Sequence, residues 1–150
     1  MNELKNRLQT TSQLPLSTQT VINVFLTNTW VKNDLLNVLK PHDLSLEQFN
    51  VLRILRGQKG NPINLQDIQE RMVNKMSNTT RLVDKLIIKG FVKRNQCETN
   101  RRKIEIYVTS NGLDILKELD IIINKTEENI TSNLSKTELK HLNELLLKLK

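Results

Sequence analysis

Apolar residues fall in two rhythms along this chain. From Ser17 to Lys40, positions such as Val21, Val24, Phe25, Trp30, Leu35 and Leu39 recur at three- and four-residue steps, which predicts one long helix. It should stop before Pro41, which restricts the residue ahead of it and donates no backbone hydrogen bond. The breadth of its apolar surface predicts burial on more than one side. Ser45 with Gln48 reads as a capping box, opening a second helix with Phe49, Leu52 and Leu55 in step and Gly57 and Gly60 at its end. A short extended piece, Asn61 to Asn64, leads to a third helix striped by Leu65, Ile68 and Met72. After a break near Val73 and Asn74, a fourth helix is expected to run to about Lys89. Met76, Leu82, Val83, Leu86 and Ile87 mark its buried face and Gly90 its cap.

The period then changes. Phe91 to Asn95 reads as a strand, and Ile104, Ile106 and Val108 alternate with Glu105 and Tyr107 as a half-buried one. The polar run QCETNRR between them predicts a β-hairpin with a basic tip. Thr109 is placed to cap a further helix, with Leu113, Leu116, Leu119 and Ile123 along it. Ser135 and Glu138 form a second capping box before Leu139, Leu142, Leu145, Leu146 and Leu149. The chain is therefore mainly α with a small β-hairpin. Helix, turn, helix and basic hairpin in that order make a winged helix-turn-helix.

Composition narrows the choices. A length of 150 residues predicts a single domain, and 4 Gly with 3 Pro exclude a sandwich of many short strands. The single Cys excludes an internal disulfide framework and a Cys-rich zinc site, and His42 and His141 lie far apart, so no metal and no cofactor is expected. No run is long enough for a membrane span, and MNELKNRLQTTSQ lacks the apolar core of a secretory signal, so a cytoplasmic protein is expected. An enzyme reading fails for want of parts: no triad signature and no Gly-rich phosphate loop.

Charge is informative by its position. The net charge of the chain is +7, yet the window from Arg71 to Lys103 alone carries ten basic residues against Asp84 and Glu98. The remainder is close to neutral. Such clustering is the footprint of a surface for a polyanion, and a merely solvated face is the plainer alternative. A helix fits the major groove of double-stranded DNA, and a hairpin beside it reaches the backbone or the minor groove. Ser77, Asn78, Thr80 and Arg81 lie at the start of the fourth helix and are the candidate base readers. The plainer roles are capping for Ser77 and packing for Thr80. Lys85, Lys89 and Lys93 are candidate phosphate contacts or simply solvated. Arg101, Arg102 and Lys103 are the candidates at the hairpin tip, where one arginine has Asp84 as an alternative partner. Cys97, in the same loop, reads as an incidental exposed thiol.

The stretch KMSNTTRLVDKLIIKGFVKR followed by NRRKIEIYVTSNG resembles the MarR family of bacterial transcription regulators. Thr80, Arg81, Leu82, Val83, Asp84 and Leu86 match its recognition-helix motif. Gly90, Phe91, Val92 and Arg94 match the start of the wing, and Val108, Thr109 and Gly112 its exit. Arg101 and Arg102 fit the wing-tip motif, with Asn100 in place of the usual Asp. The match covers roughly Leu44 to Gly112, while the outer helices agree in length and placement. The resemblance implies a DNA-binding lobe at about 45–112, and dimerisation helices at about 17–40 and 113–150. It also implies a homodimer on a pseudo-palindromic operator. The expected function is a sequence-specific regulator, a repressor released by a small-molecule effector. Phe25, Trp30, His42 and Phe49 are candidates for lining its pocket, with core packing as the plainer reading. The alternative is a winged helix used for protein–protein contact or for non-specific DNA coating.

Overall fold

The computed structural model describes residues 14–96 and 104–149. Its contacts group the chain into two units that part between Asp34 and Leu35. The described residues of the first unit are mostly helix α1, Leu16–Leu39, whose last turn belongs to the second. The Gln19 side chain donates to the Leu14 carbonyl at 2.7 Å and fastens its start. The breadth of apolar surface on α1 predicted burial on more than one side. Instead, Val21, Val24, Phe25 and Trp30 stand exposed in the single chain.

The second unit continues through a 3-10 turn, Lys40–His42, then α2 (Leu46–Gly57), α3 (Leu65–Arg71) and α4 (Thr79–Ile88). The antiparallel pair β1 (Val92–Gln96) and β2 (Ile104–Val108) follows, then α5 (Ser110–Thr131) and α6 (Lys136–Lys148). Pro41 sits in the first turn of the 3-10 segment, where its missing N–H has no helical partner to lose. Both expected capping boxes form, at Ser45 with Gln48 and at Ser135 with Glu138. The end of α2 falls where Gly57 and Gly60 were expected to place it. Gly57 is its last helical residue, and the left-handed positions are Lys59 and Gly60.

The core is shared by the elements of the lobe. Val51, Leu52 and Leu55 of α2 join Ile68 of α3, Val83 and Leu86 of α4, Ile106 of β2, and Leu116 and Leu119 of α5. Leu39, at the end of α1, lies in the same core. Fully burying a side chain of this size is worth about 1.5–3 kcal/mol, so this cluster holds the helices in their relative positions. The extended piece before α3 does more than connect. Ile63 and Ile106 exchange backbone hydrogen bonds of 3.2 and 2.9 Å, which adds a one-residue third position to the hairpin.

Thr109 joins three elements. Its hydroxyl accepts from the Gly112 N–H and donates to the Gly90 carbonyl, and its N–H donates to the Phe91 carbonyl. Gly112 is packed so closely there that a Cβ would collide with the Phe91 carbonyl oxygen and lie 2.8 Å from Val108 Cγ2. The wing root and the start of α5 are thus locked to the end of α4. Among the described residues, no helix is long and apolar enough to cross a membrane.

Candidate nucleic-acid interface

The α3–turn–α4 unit is built from side-chain to backbone hydrogen bonds. The Asn50 side chain accepts from the Val73 N–H at 2.9 Å, and the Asn74 side chain accepts from the Met76 N–H at 3.1 Å. Gln69 bridges the turn: its amide nitrogen donates to the Lys75 carbonyl, and its oxygen accepts from the Thr79 hydroxyl. The Asn78 side chain accepts from the Arg81 N–H at 3.0 Å and so caps α4.

Several expectations change here. The fourth helix begins at Thr79, not before Met76, and Met76 is 93% exposed rather than buried. The apolar spacing ran on through a segment whose backbone is a turn, so helical phase did not carry across it. Ser77 precedes the helix, and the capping role falls to Asn78. The Ser77 hydroxyl is buried with no hydrogen-bond partner among the described residues. Packing against α3, the plainer role weighed for Thr80, belongs to its neighbour Thr79. Thr80 and Arg81 are exposed, as is Lys85 one turn further on. The inner face of α4, with Val83 and Leu86, is buried in the lobe.

The end of α4 is set by a Schellman arrangement. Gly90, at φ 73°, donates to the Ile87 carbonyl, and the Phe91 N–H reaches the Leu86 carbonyl at 3.0 Å. The chain turns there directly into β1, which pairs Val92 with Val108, Arg94 with Ile106 and Gln96 with Ile104. Arg94 was read only as part of a motif, yet it is the partner of Asp84, Nη2 to Oδ1 at 2.8 Å. This pair ties the wing to α4 and takes the place considered for a tip arginine. No local sequence signal links a helix carboxylate to a strand ten residues on.

The lysines separate by role. Lys89 binds the Asp43 carboxylate and carbonyl, and this partner holds the Asp43 carboxyl below the usual carboxylate range. Lys93 lies over the Tyr107 ring, 5.2 Å from its centre. Lys85 forms no ion pair among the described residues. Arg101, Arg102 and Lys103, with Cys97 and Asn100, fall outside the described residues.

The pocket candidates lie apart in character. Phe25 and Trp30 are exposed on α1, in the first unit. In the second, Phe49 is buried in the lobe core with the Arg53 guanidinium 5.7 Å above its ring. His42 Nδ1 stands 3.9 Å from the Glu118 carboxylate of α5. Among the described residues no cluster of His, Cys, Asp or Glu fits a metal ion.

Comparison with known proteins agrees with this geometry. Residues 44–104 match the model of the MarR family. An uncharacterized HTH-type transcriptional regulator of Bacillus subtilis, YfiV, is 38% identical over 77 residues, 51% of this chain. The chain spans about half of that relative's length, 47%. The HTH-type transcriptional regulator SarZ of Staphylococcus haemolyticus is 27% identical over 113 residues, covering 75% of this chain and 76% of SarZ. Among solved structures, an E. coli MarR variant complexed with operator DNA has the same fold. Its TM-score is 0.78 at 23% identity, over 91% of this chain and 99% of that one. The helix-turn-helix, the hairpin and the match to the MarR family model thus fall on one segment, and the two sequence relatives that the chain is similar to are HTH-type transcriptional regulators.

Proposed function

We propose that the chain is a homodimeric, sequence-specific DNA-binding regulator that lays α4 in the major groove of a pseudo-palindromic operator. The observation that carries this reading is the two-sidedness of α4. Its inner face is fixed in the lobe core, while Thr80, Arg81 and Lys85 stand outward with no ion pair among the described residues. An exposed cationic helix face held rigidly from behind suits a polyanion, and its polar side chains suit base edges. The hairpin beside it carries Lys93 and Arg94, both exposed.

The dimer rests on the outer helices. Along α6, Leu142, Leu145, Leu146 and Leu147 are all exposed in the single chain, as are the apolar residues of α1. Stripes of that extent favour a second copy. Two lobes in a two-fold dimer would meet half-sites about one helical turn, 34–36 Å, apart. A small-molecule effector would release the operator by favouring a spacing that misfits successive grooves, and the protein is then a repressor.

Selection from random duplexes tests the reading. A motif with two-fold symmetry and half-sites one turn apart is the expected result. Binding without any enriched motif would mean a DNA-coating protein, and no binding at all would mean a winged helix used on proteins.

A further inference from the structure

We propose that Met76, in the turn between α3 and α4, is a base-contacting residue that packs on a thymine methyl group next to the base pair met by Arg81. The inference rests on the DNA-binding reading above and refines it. Met72 and Met76 stand four residues apart, yet Met72 is buried in the core and Met76 is 93% exposed. Val73 is 89% exposed beside it. This exposure belongs to a turn whose backbone is pinned. The Val73 N–H is held by Asn50, the Met76 N–H by the Asn74 side chain, the Ser77 N–H by the Asn74 carbonyl, and the Lys75 carbonyl by Gln69. The turn therefore presents its apolar side chains to solvent in a fixed place.

The surroundings select the partner. Arg71 and Lys75 adjoin the two apolar residues in sequence, Arg81 and Lys85 follow in α4, and all four are exposed. The one acid between Arg71 and Lys85 is Asp84, and Arg94 engages it. An apolar protein surface docked on Met76 would face these cations without compensation. A DNA duplex offers both complements at once: phosphates for the cations, and one apolar projection in the major groove, the C5 methyl of thymine. Residues at the start of a recognition helix are those that meet base edges, and Met76 lies just ahead of that start.

The test compares the full-length wild type with Met76→Ala and Met76→Gln, the latter keeping the length of the side chain without its apolar end. Wild-type protein should select a thymine at one position in each half-site, and both variants should lose that preference. Uracil, which lacks only the methyl group, should then be placed at the selected position. Wild-type affinity should fall about fourfold per half-site, the effect of one buried methyl group, while the variants hardly respond. An equal loss in wild type and variants, or a wild-type motif with no such thymine, overturns the Met76 contact and leaves the regulator reading standing. Failure of the wild type to bind any duplex overturns both.

Discussion

Asn78→Ala and Asn78→Asp together separate the two roles open to this residue. Asn78 Oδ1 accepts from the Arg81 N–H at 3.0 Å, which satisfies one of the four unpaired N–H groups at the start of α4. Removing a cap of this kind costs about 1 kcal/mol, within a range of about 0.5–2. In a chain of this size that lowers Tm by about 2–4 °C. Aspartate keeps the accepting oxygen and adds a negative charge at the positive end of the helix, a favourable placement worth about 0.3–1 kcal/mol. Thermal and urea unfolding at fixed protein concentration should therefore show Asn78→Ala destabilised and Asn78→Asp close to wild type. DNA affinity should divide the pair differently. With α4 at the DNA, as proposed, the aspartate would meet phosphates, so Asn78→Asp should bind operator less well than wild type, most of all at low salt. If Asn78→Asp loses as much stability as Asn78→Ala, the side chain is not acting as the cap and the reasoning fails.

Three further outcomes follow from named contacts. Lys85→Ala should reduce the slope of log K against log salt by about 1 per half-site, about 2 for the dimer, because its ammonium has no ion-pair partner among the described residues. Lys89→Ala should leave the slope nearly unchanged, since that ammonium is committed to Asp43. Gly112→Ala should destabilise the lobe by about 1–3 kcal/mol in urea unfolding, because its Cβ meets the Phe91 carbonyl and Val108. Lys89 holds the Asp43 carboxyl below its ordinary value, so the stability gained is present above the usual carboxylate range and lost as pH falls through the lowered value. Asp43→Asn should accordingly flatten the acid limb of stability between those two points, as followed by unfolding at a series of pH values.

Much of the fold was legible because local rules and tertiary demands agree. The two capping boxes, the Gly90 terminus and the Thr109 cap each occupy the place their spacing predicts. Where the reading slipped, a long-range contact decided. Met76 kept helical phase with Leu82 and Val83, but hydrogen bonds from Asn50 and Gln69 hold its segment as a turn. The Ile63 pairing with Ile106 joins residues far apart in sequence through a stretch that contains a proline and has no strand period. Arg94 likewise looked like one basic residue among many, and only the fold brings it to Asp84. The leucines of α6 were legible as a stripe, and they stand exposed in the single chain.

The central claim is that the outer face of α4 reads bases, and Arg81→Ala tests it most directly. The Arg81 side chain is exposed and forms no ion pair among the described residues, so the substitution should leave the lobe folded. Binding should be measured on the selected operator and on a panel with single base-pair changes in each half-site. The account predicts a loss of about 1–3 kcal/mol per contacted base pair on the best operator, with preference relaxed at one position per half-site and kept at the others. An equal loss on every sequence would make Arg81 a phosphate contact. Unchanged affinity would remove α4 from the interface. Either result would contradict the account.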